Sequence, residues 1–364
     1  MRLFGLVALT AAALLCACHG LGRVPPPQPQ PASFVTTVGQ SAVPTIYSGP
    51  CDYLVGGCAE AYSLTHAMTR NYAGKLFQLY NGTTRLDIGQ ASNGSTDMTT
   101  WSVFCSGTAS NCVVSKIYAQ IQGHSNDLVP STFNAPNGPN CSTGGTYQCA
   151  PPFAINGTTG LPDITVGESG YEFTIASDAG LTGVPAGAGT DVTVILSGRA
   201  VEPPGGGTNC CGTAGKMHCY NCADTPGQDF TIGLSWSNAG TFMNCPTSST
   251  FCLGLDIEQQ YQTGGNLGSS PVDFIAMSSW NHTTNYLTGA VNGKTVFYTL
   301  PPGGDTMAPG NSMHWGGGGD LSQYAMGINR DVLFVNRAIA LSEFVAVTRN
   351  LKLFYSGLSF PTPN

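Results

Sequence analysis

Charge is what this chain has least of. Of its 364 residues, 9% are Asp, Glu, Lys or Arg, where an ordinary soluble domain carries about a quarter. Glutamate occurs only six times. The formal net charge of −7 offers no basic footprint for nucleic acid. The histidines, His19, His66, His124, His218, His282 and His314, are scattered, and no Ser/His/Asp arrangement is legible around them. No phosphate loop and no dinucleotide fingerprint occurs. The sustained apolar run from Leu3 to Leu15 is too short to cross a bilayer as a helix. Helix signals are sparse too. One is Cys58–Asn71, where Ala59, Tyr62, Ala67 and Met68 are loosely spaced. The other is Ser342–Leu353, with Ser342 as the expected N-cap before Glu343. These shortages argue against a nucleic-acid binder, a nucleotide-driven enzyme and a helical bundle.

Turn chemistry is abundant instead, with 48 Gly and 24 Pro. Short alternating runs lie between Gly/Asn/Pro turns: Lys75–Tyr80, Ser115–Ile121, Tyr171–Ile175, Val192–Ser197, Phe230–Trp236, Phe251–Tyr261, Phe274–Ser278, Tyr286–Ala290, Lys294–Leu300 and Val332–Val335. Asn292-Gly293 between two of them signals a hairpin. Many strands and few helices predict an all-β protein, a β-sandwich of jelly-roll type. Ahead of it, Met1-Arg2 and the apolar run read as an export signal over residues 1–18. Its end, Leu15-Cys-Ala-Cys18, is similar to the lipobox of bacterial lipoproteins, which would put a lipid anchor on Cys18. Cleavage and free secretion is the alternative. Residues 19–47 hold Pro25-Pro-Pro-Gln-Pro-Gln-Pro31, a polyproline-type linker. One folded domain is expected over residues 48–364.

Beyond Cys16 and Cys18, twelve cysteines fall into local pairs: Cys51/Cys58, Cys105/Cys112, Cys141/Cys149, Cys210/Cys211, Cys219/Cys222 and Cys245/Cys252. An even number in close pairs reads as a disulfide framework of an oxidising compartment, hence a secreted or cell-surface protein. Around His218-Cys-Tyr-Asn-Cys222, a zinc site with Cys210-Cys211 is the rival reading. The adjacent Cys210 and Cys211 can bond separately to Cys219 and Cys222. They can also bond to each other in a strained ring, of a kind retained where it serves a site.

Chemistry points to Phe251-Cys-Leu-Gly-Leu-Asp-Ile-Glu-Gln-Gln-Tyr261. Phe251, Leu253, Leu255 and Ile257 alternate with Cys252, Gly254, Asp256 and Glu258, the period of a half-buried strand. The apolar set faces a core, and Asp256 and Glu258 share the other face, roughly 6–7 Å apart along the strand. A solvated outer face would give the same alternation; a carboxylate site in a groove is the sharper alternative. A third carboxylate stands at the end of Trp315-Gly-Gly-Gly-Gly-Asp320, where four glycines let a ligand approach the backbone. A glycosidase needs two carboxylic groups across a sugar, one ionised nucleophile and one proton donor.

Several stretches together resemble the catalytic domain of the α-L-arabinofuranosidases of glycoside hydrolase family 54. They are Gly49-Pro-Cys-Asp52 with Cys58, Thr69-Arg70, Leu76-Phe-Gln-Leu-Tyr80, Ile117-Tyr-Ala-Gln120, Gly123-His-Ser-Asn-Asp-Leu128, Cys210-Cys211, Asp256-Ile-Glu258 and Gly318-Gly-Asp320. The likeness covers about residues 48–345 and implies a concanavalin-like β-sandwich with the active site on its concave face. It implies retaining hydrolysis, with Glu258 at the nucleophile position and Asp320 at the general acid/base position. Asp256 matches the residue that binds sugar hydroxyls and orients the nucleophile, and Gly319 a backbone sugar contact. Cys210–Cys211 matches the family's vicinal disulfide against the arabinose; Cys51–Cys58 and Cys105–Cys112 match two more. Cys141–Cys149, Cys219–Cys222 and Cys245–Cys252 are extra to the pattern. Gln259 replaces the family's Asn after the nucleophile. For the family's aromatic sugar platform, Phe242 is the match by spacing and Trp236 by chemistry.

The expectation is therefore an exported, monomeric, exo-acting enzyme that removes terminal arabinofuranosyl groups from arabinoxylan or arabinan. It needs no metal and no cofactor, and it lacks the family's arabinose-binding β-trefoil. A sandwich that binds carbohydrate without cleaving it, and a glycosidase acting on another furanoside, are the alternatives.

Overall fold

The computed structural model describes residues 47–121, 123, 126–130, 150–166, 173–175, 181–184, 190–200, 214–220, 230–236, 251–257, 260–264, 271–299, 313–315, 317–318, 320–324 and 327–363. In chain order the strands are β1 (Glu60–Ser63), β2 (Lys75–Tyr80), β3 (Arg85–Gly89), β4 (Val113–Ile117), β5 (Leu128–Pro130), β6 (Phe153–Ile155) and β7 (Pro162–Val166). Then come β8 (Phe173–Ile175), β9 (Val192–Ala200), β10 (Ala214–Tyr220), β11 (Phe230–Trp236), β12 (Phe251–Ile257), β13 (Gln260–Gly264) and β14 (Val272–Asn281). The last are β15 (Tyr286–Val291), β16 (Lys294–Thr299), β17 (Met313–Trp315), β18 (Gly317–Gly318), β19 (Asp320–Tyr324) and β20 (Gly327–Val335). Two α-helices are described, α1 (Trp101–Phe104) and α2 (Leu341–Phe354).

Two large antiparallel sheets form the sandwich. One runs β16-β15-β14-β9-β20-β7-β6, with β1 added on β20. The other runs β13-β12-β11-β10-β17-β8-β5-β4-β2-β3. Their facing sides share one core, in which Phe77, Leu79, Phe173 and Trp315 from the ten-stranded sheet meet Val194, Leu196, Phe274, Trp280 and Phe334 from the eight-stranded sheet. A second core lies on the other side of the eight-stranded sheet. There Ile195, Ile275, Met277, Leu333 and Val335 pack under Phe344, Val347, Leu351 and Tyr355 at the helix end, with Cys51 and Leu54 beside them. The central strands of that sheet are thus covered on both faces, which is why β14 is buried at every position but its last.

This double cover explains the one helix that does not form. Over Cys58–Asn71, residues Glu60–Ser63 are instead a strand, buried at every position and paired with β20. Tyr62 faces one core and Ala61 the other, so no period of two survives to mark a strand. The C-terminal helix does form, but Ala340 is its cap rather than Ser342. Glu343 turns back so that Oε2 accepts the Ala340 N–H at 3.1 Å, and Arg337 braces the same carboxylate. The Asn292-Gly293 hairpin is present, with φ of 52° and 97°, the left-handed pair a tight two-residue turn requires. Cys51–Cys58 and Cys105–Cys112 are both disulfides. Among the described residues no helix is long and apolar enough to cross a membrane.

Candidate active site

The register of the ten-stranded sheet sorts its residues into rows. Trp315, His218, Ile232 and Leu255 lie opposite one another across β17, β10, β11 and β12. Trp315 is fully buried in the inter-sheet core. The next row is His314, Cys219, Thr231, Asp256 and Tyr261. The two rows stand one residue apart along each strand.

The glycine run after Trp315 is anchored at its start by that buried indole. Gly317–Gly318 and Asp320–Tyr324 fold back on each other as a two-stranded hairpin, with Gly318 opposite Asp320. The hairpin lies against β10. Strand β10 is two strand spacings from β12, about 10 Å. Asp256 and Asp320, well apart in sequence, thus come from segments of the same sheet region: β12 lies beyond β11 from β10, and the Asp320 hairpin packs on β10 itself. Cys219 sits on that strand in the Asp256 row.

Trp236 is placed differently. It pairs with Phe251 at the other end of β11, five residues from Thr231, about 17 Å along the strand from the Asp256 row. Glu258, Gln259, Gly319, Cys210, Cys211, Phe242, Cys222 and Cys245 lie outside the described residues, as does the pair Cys141/Cys149. Cys252 is in β12, opposite Ser235. Among the described residues no group of three His, Cys, Asp or Glu could hold a metal ion. Sequence reading passed over His314 and Thr231, which the register sets in the Asp256 row; the one signal for His314 was its place just before Trp315 and the glycines.

Asp331, a rival proton donor by sequence position, is removed from contention by its surroundings. It is fully buried on β20, on the side covered by α2. Ser63 Oγ donates to it at 2.6 Å, and Ser197 and Tyr355 donate to its other oxygen. A bulge in β20 opposite Gly198 brings this about, with Arg330 as the extra residue. A Cβ on Gly198 would stand 2.4 Å from the Ile328 carbonyl oxygen, so only glycine admits the close approach. Arg330, equally buried, bridges Asp163 at 3.1 Å and Asp273 at 2.9 Å. Gln120 and Asn126, from the stretches similar to the arabinofuranosidases, are also braces. Gln120 Oε1 accepts from Met68 N at 2.8 Å, and Asn126 Nδ2 donates to the buried Glu60 at 2.6 Å.

With this arrangement in place, the comparisons fall into line. The family model described as "Alpha-L-arabinofuranosidase B, catalytic" matches residues 50–331, a span that holds Asp256, Glu258 and Asp320. The chain belongs to this family. Solved α-L-arabinofuranosidase structures share its fold. One, complexed with arabinofuranosyl-α-1,2-xylobiose, superposes with a TM-score of 0.62 at 19% identity, over 84% of this chain and 65% of that one. Another, of glycoside hydrolase family 54 and soaked with a cyclic sulfate inhibitor, gives 0.63 at 20% identity over the same shares. This chain thus spans 65% of the length of the solved arabinofuranosidases it matches. No curated protein sequence matches it.

Proposed function

We propose that the protein is a retaining, exo-acting α-L-arabinofuranosidase that releases terminal arabinofuranosyl groups from arabinoxylan or arabinan. The observation that carries this is the match of residues 50–331 to the arabinofuranosidase B catalytic family, with the Asp256 strand two strands from β10, on which the Asp320 hairpin packs. Glu258, two residues beyond Asp256, is the nucleophile. Its carboxylate attacks the anomeric carbon as the glycosidic C–O bond breaks, and Asp320 gives its proton to the leaving oxygen. Asp320, now a carboxylate, takes a proton from water. That water attacks the same carbon and frees Glu258, so two inversions leave the configuration retained. Asp256 and Gln259 hold the sugar and the nucleophile, Gly319 offers its backbone, and Cys210–Cys211 forms a rigid plate against the furanose. Phe242 supplies the aromatic platform, since Trp236 stands too far along β11.

The oxidised Cys51–Cys58 and Cys105–Cys112 pairs support export. The protein is then secreted or held at the cell surface, with Cys18 as the lipid attachment point in the second case, and works as a monomer. A glutamine-for-glutamate variant of a family 54 enzyme has been soaked with 4-nitrophenyl α-L-arabinofuranoside, and the same substrate provides the test. Turnover of it, with β-face nitrophenyl furanosides and galactofuranosides left intact and the first-formed arabinose in the α-configuration by NMR, is expected. Polysaccharide binding without turnover would leave a lectin-like sandwich instead.

A further inference from the structure

The outer face of the eight-stranded sheet carries a feature that the proposed hydrolysis does not use. On the β15–β16 hairpin the rings of Tyr286 and Tyr298 stack, with centroids 4.3 Å apart and planes 12° from parallel. Tyr298 is 63% exposed. Leu287, between Tyr286 and Thr288, is buried in the inter-sheet core, which puts its two neighbours on the outer face. Tyr298 is directly across from Thr288 and shares that face. Helix α2 covers the turn end of this hairpin, where Val345 and Thr348 approach Gly293. Tyr286 stands near the other end, about 13 Å along the strand from Ala290, which the second core still holds, and Tyr298, across from Thr288, is about 7 Å from it.

We propose that Tyr286 and Tyr298 form a platform for a neutral polysaccharide chain, binding it outside the catalytic site. The ligand class rests on the hydrolase reading above. The C–H face of a pyranose ring is apolar and weakly positive, and the face of a tyrosine ring is weakly negative, so the two stack. Stacking on Tyr286 holds Tyr298 in place before any ligand arrives, so little freedom is lost on binding. The half-buried Asn281 and Thr288 stand opposite Tyr286 and Tyr298 in the ladder, and the exposed turn residues His282, Thr283 and Thr284 follow Asn281, all with hydrogen-bonding groups suited to sugar hydroxyls. Two rings offer an area of the order of one sugar face, far below the roughly 800 Å² per partner of a stable protein interface. That size selects a sugar over a second protein.

The test is affinity electrophoresis of the full chain in gels containing soluble arabinoxylan, comparing wild type with Tyr298→Ala and Tyr298→Trp. Tyr298→Ala should weaken retardation by about tenfold, the scale of losing one stacking face, and Tyr298→Trp should retain it. Unchanged melting temperatures would show that both variants fold; if Tyr298→Ala does not fold, loss of binding in a folded Tyr298→Trp overturns the platform. Wild-type retardation by a folded Tyr298→Ala also overturns it, as does self-association of the wild type that the alanine abolishes, which would give the rings to a second copy. Binding is read without turnover. Retardation with no release of arabinose would sink the hydrolase and leave the platform, and hydrolysis with an indifferent Tyr298 would do the reverse.

Discussion

The imidazole of His66 lies flat on the ring of Phe354, with centroids 4.0 Å apart and planes 4° from parallel. The side chain is wholly buried; Thr65 Oγ1 is 2.7 Å from its Nδ1, and Nε2 has no hydrogen-bond partner. Burial holds its pKa below the ordinary 6.5, while Asp331, 3.9 Å away, pulls the other way. The unfolded chain therefore takes up this proton at a higher pH than the folded one. Stability is complete above pH 6.5 and falls as the pH drops from there toward the folded value, by up to about 1.4 kcal/mol per pH unit. His66→Phe keeps the stack and removes the titration. Urea unfolding at pH 7.5 and pH 5.5 should show a drop in midpoint for wild type that the variant lacks; equal drops would clear His66.

Replacement of the nucleophile gives the sharpest test of the site. Glu258→Gln deletes the attacking oxyanion while keeping the side chain's size, so turnover of 4-nitrophenyl α-L-arabinofuranoside should fall by several orders of magnitude, roughly 10⁴-fold or more. Azide should not be needed for wild-type release. Near-normal turnover would move the chemistry elsewhere.

Asp320→Ala removes the proton donor, and its effect should depend on the leaving group. A nitrophenolate leaves with little help, whereas a sugar alkoxide needs the proton, so release from arabinoxylan should slow by about 10²–10⁴-fold more than is seen with the activated substrate. Equal slowing of both would point to another acid, with Asp224 next in line.

Asp331→Asn separates structure from chemistry. Three hydroxyls converge on this buried carboxylate, so the amide should lower unfolding free energy by about 1–3 kcal/mol. The pH profile of turnover should keep its shape. A displaced acidic or basic limb would return Asp331 to the mechanism.

The sequence revealed most where apolar and polar residues alternate along a strand. Phe251–Ile257 carries the two-residue alternation of a strand and forms one, paired with β11 on one side and β13 on the other. Where both faces are buried, as at Glu60–Ser63, alternation vanishes and a helix is the natural misreading. The Arg330 bulge was hidden for another reason: an extra residue in a ladder is defined by its partner strand, and nothing within Gly327–Val335 marks it. Rows are likewise a property of pairing, so neither His314 beside Cys219 nor the distance of Trp236 from Asp256 could be read along one dimension. Chemistry-bearing stretches were legible as a set because their order along the chain is shared with a family.

Strand β1 hydrogen-bonds β20, with Glu60 opposite Phe334. The first described strand to leave the ribosome thus has no mate until almost the last segment follows it. The two seven-residue disulfide loops can close early, because each needs only its own neighbourhood. The sheet that seats α2 cannot, since closing so large a loop costs entropy that only non-local contacts repay. Delivery of this protein is then a waiting problem. While β2, β3 and β4 can pair among themselves, β1 must stay unaggregated and unpaired for as long as β20 takes to arrive.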